Sequence, residues 1–239
     1  MGAAMSDQEL RRATASQGLD MRCYVITSGV GRETIDAAAA AAAAGSGLIQ
    51  VRPKPRERVL STREVLDFSL AVARAVRAGN PATRVVVDDR ADVAYAAELA
   101  EPGLIHGVHL GQDDLPVRAA RALLGPDAII GLTTGTLALV EQANEVADVI
   151  DYIGAGPFRL TPTKDSGRPP LGHEGYPPLV AVSKVPMVAI GDIGVADVAA
   201  LAATGISGVA VVRAVMEADD PGAVVRQILT AFDSGRASG

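Results

Sequence analysis

Eight short apolar runs, set at near-regular intervals, constrain this chain more than any other feature. They are Cys23–Thr27, Leu48–Arg52, Arg84–Asp88, Gly107–Leu110, Ile129–Thr133, Tyr152–Gly156, Met187–Gly191 and Gly208–Val212. As a group they are rich in β-branched residues and punctuated by Gly or Asp. The runs are continuous rather than alternating, which is the pattern of strands buried on both faces, as in a parallel sheet. Between them lie segments with helical spacing. In Ser61–Ala78, the side chains of Val65, Phe68, Val72 and Val76 fall on one stripe, and Ser61 with Glu64 forms a capping-box pattern. The last segment opens with Asp220-Pro221, an N-cap followed by proline at the first helical position. The remaining helices are predicted over Thr34–Ala44, Ala91–Leu99, Pro116–Leu124, Thr136–Val146, Pro177–Lys184 and Val195–Thr204. Eight strands alternating with eight helices predict an α/β fold, the (β/α)8 TIM barrel. At 239 residues each unit has about 30, close to the minimum for a βαβ repeat. An open doubly wound sheet would instead carry a glycine-rich fingerprint after its first strand. Gly29-Val30-Gly31 lacks the third glycine and an acidic partner, and reads as a loop.

The expected organisation is therefore one barrel over residues 21–233, with a flexible extension at 1–20 and a flexible tail at 234–239. Ala37 to Ala44 are eight consecutive alanines, read as a helix that packs closely on the sheet. One Cys cannot form an internal disulfide, which excludes a disulfide-stapled secreted scaffold. Acids exceed bases by 28 to 22, so a basic nucleic-acid surface is not expected, and aromatics at 3% supply few stacking platforms. No apolar run reaches the roughly 18 residues of a membrane span. Met1–Asp20 mixes Arg with Asp and Glu and reads as neither signal nor anchor. A soluble, cytoplasmic protein with small-molecule partners, with homo-oligomer formation left open, is the class that remains.

In a (β/α)8 barrel the strand C-termini carry the chemistry. Strand two ends in Gln50-Val51-Arg52-Pro53-Lys54, where alternation sends Gln50, Arg52 and Lys54 to one side. Two cations there suit a phosphate or pyrophosphate, although a solvated loop with Arg56, Arg58 and Arg63 following would look the same. Strand three ends in Asp88-Asp89-Arg90, acids able to bind Mg²⁺ or to cap the next helix. Strand four runs into His109-Leu110-Gly111-Gln112-Asp113-Asp114, with Asp114 either a second metal carboxylate or an N-cap before Pro116. His109 is expected inside the barrel, and three histidines in all do not make a zinc cluster. Strand five ends in Thr133-Thr134-Gly135, and strand six leads to Thr161-Pro162-Thr163-Lys164, a hydroxyl-rich loop fit for an anion. The Gly- and Pro-containing segment Asp165–Gly175 is expected to act as a lid. Strands seven and eight end in Gly191-Asp192-Ile193-Gly194 and Val212-Arg213-Ala214, where barrels often hold a phosphate.

This ordered set, above all Gly107-Val108-His109-Leu110-Gly111-Gln112-Asp113-Asp114 and Thr161-Pro162-Thr163-Lys164, resembles thiamine-phosphate synthase from about Tyr24 to Phe232. The resemblance implies a transferase in thiamine biosynthesis. It would couple a hydroxymethylpyrimidine pyrophosphate to a thiazole phosphate, releasing pyrophosphate with the help of Mg²⁺. Carried over by motif, Asp89 and Asp114 would hold Mg²⁺, and Arg52, Lys54, Lys164 and Thr133 would bind the pyrophosphate. Gln50 would contact the pyrimidine, and Asp88 would add negative charge beside the pyrophosphate. Thr161 and Thr163, with backbone amides around Gly191, Val212 and Arg213, would take the thiazole phosphate. The sequence departs from the family pattern at Pro53 (usually an acid), Asp88 (usually Asn), Thr133-Thr134-Gly135 (usually Ser-Thr-His) and Asp192 (usually the second Gly of a pair). Two other readings compete: a thiazole-phosphate tautomerase on the same barrel, and a non-catalytic sensor of phosphorylated ligands. Gly135 where the tautomerase would need a histidine, and the Thr-Pro-Thr-Lys motif, favour the synthase.

Overall fold

The computed structural model describes residues 18–55, 58–160 and 169–238. Eight strands are present: β1 (Cys23–Ile26), β2 (Leu48–Val51), β3 (Arg84–Asp88), β4 (Gly107–Leu110), β5 (Ile129–Thr134), β6 (Tyr152–Ala155), β7 (Met187–Ile190) and β8 (Gly208–Val211). They pair in chain order, all parallel, and β8 bonds back to β1 to close the barrel. The described helices are α1 (Arg32–Ala43), α2 (Thr62–Gly79), α3 (Ala91–Ala100), α4 (Val117–Leu124) and α5 (Leu137–Asn144). They continue with α6 (Tyr176–Val182), α7 (Val195–Ala202), α8 (Arg213–Met216) and α9 (Pro221–Ser238). The protein is a (β/α)8 TIM barrel. None of the described helices is long and apolar enough to cross a membrane.

Two apolar layers explain why the strands read as unbroken hydrophobic runs. Tyr24, Ile26, Leu48, Val86, Tyr152, Val188 and Ala210 pack together inside the barrel. Their alternates, including Cys23, Val25, Ile49, Val51, Val85 and Val87, face out under the helices. Burial on both faces removes any polar alternation. The helix ends follow local chemistry. Ser61 N donates to Glu64 Oε2 at 2.9 Å and Glu64 N to Ser61 Oγ at 3.3 Å, so the capping box at the start of α2 is formed. Asp220 Oδ1 accepts from Ala223 N at 2.8 Å and opens α9. The alanine run forms most of α1, with Ala37, Ala38, Ala41 and Ala42 buried. Without side chains beyond Cβ, α1 lies close to α2 and α9.

Two features differ from the sequence expectation. A ninth described helix, the single-turn α8, sits between β8 and α9. The helix α9 continues through Ser238, so residues 234–238 extend it instead of forming a tail. Arg236 donates to the Ile206 carbonyl at 3.1 Å and stacks over Phe232, which holds that end against the barrel.

At the strand N-terminal face, Arg121 of α4 is a buried clamp. It donates to the carbonyls of Val149 and Gly125 at 3.1 Å and of Ala128 at 2.6 Å, and to Asp151 Oδ2 at 2.8 Å. Asp151 Oδ2 also accepts from Ile130 N, joining β5 to the turn before β6. The opposite face is thereby left to carry chemistry.

Candidate active site

A continuous file of polar side chains crosses the barrel interior just beneath its C-terminal mouth. Tyr24 (β1), Gln50 (β2), Asp88 (β3), His109 (β4), Thr133 (β5) and Tyr152 (β6) each occupy an inward register position. Gln50 Nε2 donates to Asp88 Oδ1, and Tyr24 donates to Gln50 Oε1. The Tyr24 and Tyr152 hydroxyls are 2.8 Å apart, Tyr152 Oη lies 2.9 Å from His109 Nδ1, and His109 Nε2 lies 3.0 Å from Thr133 Oγ1. The direction of this chain follows from donor counting. The Asp88 carboxylate only accepts, so the Gln50 amide must turn its nitrogen there and its oxygen toward Tyr24. Burial pushes both tyrosine pKa values up, so each phenol keeps its single proton. Tyr24 spends its proton on Gln50, Tyr152 spends its own on Tyr24, and His109 Nδ1 must therefore carry a proton for Tyr152. The crowding needs a glycine on β5. A Cβ at Gly131 would lie 2.2 Å from Tyr152 Cζ and 2.5 Å from His109 Nδ1.

Above that file the ionic groups gather. Asp88, only 7% exposed, has Lys54 Nζ at 2.8 Å and Arg52 Nε at 3.5 Å from its Oδ2. Lys54 also contacts Asp89 Oδ2, so its ammonium sits between two carboxylates. Burial pulls the Lys54 pKa down, but Asp88 and Asp89 outweigh it and hold the ammonium above its ordinary value. Asp89 takes a left-handed backbone, φ 61°, uncommon for a residue with a side chain. Its N–H is tied to the His109 carbonyl at 2.8 Å. Neither Asp89 nor Asp114 caps a helix: α3 and α4 begin without side-chain caps. Asp114 Oδ2 instead accepts from Gly111 N at 2.6 Å and faces Asp89. Burial pushes the Asp114 carboxyl up, the Gly111 N–H opposes this, and neighbouring Asp89 raises it further. Two carboxylates forced together in this way suit a divalent cation. Among the described residues no group of three or more His, Cys, Asp or Glu side chains forms a metal cage. That donor set fits Mg²⁺, which takes one or two carboxylates and completes its shell with phosphate oxygens and water.

The ends of β7 and β8 make a second polar corner. Gly191 has φ 117°, and a Cβ there would lie 2.6 Å from Phe158 N, so only glycine fits against the loop after β6. Asp192 also adopts a left-handed backbone, φ 55°, and turns its carboxylate to the Arg213 guanidinium. Arg159 donates to the Asp192 carbonyl at 3.1 Å and pairs with Asp197, whose carboxyl it holds below the usual range. Val212 and Arg213 stand beside Gly191 through the β7–β8 pairing and the Arg213–Asp192 ion pair.

The structure thus brings Gln50, Arg52, Lys54, Asp88, Asp89, Asp114 and Thr133 into one cluster, and Gly191, Val212 and Arg213 into the corner beside β8. Thr161, Thr163 and Lys164 lie outside the described residues, as do 165–168 of the expected lid. The part of that segment described here is bonded down: Leu171 N and Gly172 N donate to the carbonyls of Pro157 and Phe158. Sequence reasoning missed Tyr24, Tyr152 and Arg159. The signal for the tyrosines is a phenol inside a β-branched strand run, since a buried hydroxyl demands a partner.

Residues 23–215 match the family model described as thiamine monophosphate synthase. A thiamine-phosphate synthase of Corynebacterium jeikeium is 59% identical over 91% of this chain and 97% of its own length. Its counterpart in Corynebacterium efficiens is 56% identical over the same shares. Among solved structures, the thiamine phosphate pyrophosphorylase of Pyrococcus furiosus superposes with a TM-score of 0.75 at 28% identity, covering 92% of this chain and 98% of that one.

Proposed function

The chain belongs to the thiamine monophosphate synthase family of transferases, and on that premise we propose its reaction and the residues that perform it. A hydroxymethylpyrimidine pyrophosphate and a thiazole phosphate are joined to thiamine phosphate, with Mg²⁺ assisting the loss of pyrophosphate. The observation that carries this reading is the convergence of Arg52, Lys54, Asp89 and Asp114 at one barrel mouth. Asp89 and Asp114 would hold Mg²⁺, which would supply positive charge for the departing pyrophosphate. Arg52 and Lys54, with Lys164 of the Thr-Pro-Thr-Lys motif, grip the same phosphates. Gln50 orients the pyrimidine through the amide hydrogen it does not spend on Asp88.

The bond from the pyrimidine methylene carbon to the pyrophosphate oxygen breaks with its electron pair leaving on oxygen. The resulting methylene cation is stabilised by resonance in the pyrimidine, and the thiazole nitrogen then donates its lone pair to that carbon. No proton must be removed from either partner, which suits a mouth whose ionic groups are cations and paired carboxylates. The protein's contribution is positioning and electrostatic stabilisation of the leaving group. Thr133, Thr161 and Thr163, with amides near Gly191, Val212 and Arg213, complete the anion contacts.

The test is direct. Purified protein given both substrates and Mg²⁺ should form thiamine phosphate and release one pyrophosphate per product. Lys164→Ala should slow turnover by about 100-fold or more, the usual scale for one electrostatic contact in the transition state. Ligand binding by calorimetry without any product would sink the synthase reading and favour a sensor.

A further inference from the structure

In the Lys54 ammonium the cation is already part of the chain. It lies 2.8 Å from Asp88 Oδ2 and in contact with Asp89 Oδ2, and its charge also favours the ionised form of Asp114. Of the three carboxylates in the cluster, Asp88 is the one set deepest, and the Lys54 side chain is 45% exposed. Lysine carries a compact charge on a flexible four-carbon stem, so the ammonium can leave one carboxylate while keeping another.

We propose that Lys54 is a built-in counter-ion for the metal site, which yields Asp89 when a divalent cation arrives and swings on Asp88 toward the leaving-group anion. The argument is one of charge and space. An ammonium and a dication cannot share the same Asp89 oxygen, because their repulsion at about 4 Å is several-fold larger near a protein surface than in water. Asp88 is set deeper in the barrel than Asp89 and already lies 2.8 Å from the Lys54 ammonium, so it remains available when Asp89 is given up. Asp88 is thereby a positioning residue: it keeps the freed Lys54 at the mouth beside Arg52 rather than in solvent. Metal and lysine then serve in sequence, the metal taking the carboxylates and Lys54 taking the phosphate charge.

This rests on the reading of Asp89 and Asp114 as metal carboxylates, and binding measured without substrate separates the two. With Mn²⁺ as the probe, titrated by calorimetry or by the loss of its free EPR signal, Lys54→Met should bind about tenfold more tightly than the unaltered protein. Lys54→Arg, which keeps the charge, should show no such gain. Equal or weaker Mn²⁺ binding by folded Lys54→Met overturns the displacement but leaves the metal site standing. Absence of Mn²⁺ binding in both proteins overturns the site itself and the displacement with it. A second measurement needs no variant. The chain has only three lysines, at positions 54, 164 and 184. Adding Mg²⁺ should speed amine labelling of Lys54, followed by mass spectrometry against Lys184 as the remote reference. Unchanged or slower labelling of Lys54 would also overturn the proposal.

Discussion

Asp88 shows how much one residue decides here. As a carboxylate it can only accept, and that fixes the direction of every hydrogen bond from Gln50 through Tyr24 and Tyr152 to His109. The consequence is a tautomer. His109 is expected to carry its proton on Nδ1, whereas His106, whose Nδ1 accepts from Val85 N at 3.0 Å, must carry it on Nε2. Long-range proton–nitrogen NMR distinguishes the two rings in one spectrum, and an Nε2–H pattern at His109 would refute the chain's direction. Asn at 88 could donate or accept, so Asp88→Asn should loosen that preference while leaving the His106 pattern in place. The same residue also anchors Lys54 and Arg52, which links the buried file to the ionic mouth.

At the level of elements, the barrel separates the work of its two ends. Just past the strand C-termini the departures from ordinary backbone cluster: among the described residues Asp89 and Asp192 are the two non-glycine positions with positive φ, and they follow the ends of β3 and β7. Such conformations persist where surrounding structure over-determines them, commonly at binding sites. At the other end Arg121 stitches α4 to the loop before β5 and to the start of β6. Arg121→Met would keep the apolar stem but leave Asp151 buried without its counter-charge and several carbonyls without donors. Removing one partner of a buried pair typically costs about 3–5 kcal/mol. The urea midpoint should fall by a corresponding amount, and a shift under about 1 kcal/mol would show that water replaces the guanidinium.

For the molecule as a whole, acid stability should be governed from a place far from the mouth. Burial first, and then Arg84, pull the His106 pKa down to about 4, against an ordinary value near 6.5. Between those values the unfolded chain binds a proton that the folded chain refuses, so stability rises with pH there. The loss begins as pH falls below about 6.5 and levels off below about 4, with a ceiling of about 3 kcal/mol from this group. Asp197, held below its ordinary value by Arg159, adds its loss only below that window. Urea unfolding at pH 7 and pH 4.5 measures the drop. His106→Asn, whose side-chain oxygen can still accept from Val85 N, should flatten it.

The sequence by itself determined the periodic architecture. β-Branched runs buried on both faces left a parallel barrel as the consistent solution, and the capping pairs Ser61–Glu64 and Asp220–Ala223 marked helix starts through chemistry confined to three or four residues. It also placed Gln50, Arg52 and Lys54 on one side, because alternation along a strand is local. Only closure of the barrel decided what these groups meet. Lys54 reaches Asp88 and Asp89 across 34 and 35 positions of chain, and Tyr24 meets Tyr152 across 128. Asp114 in isolation reads first as an N-cap before Pro116; the turn at Gly111 instead turns it toward Asp89. The additional helix α8 and the full length of α9 were likewise decided by docking, with Arg236 held at the Ile206 carbonyl. Local pattern encodes which face a side chain takes; its partner depends on strand register and ring closure, which no stretch of sequence contains.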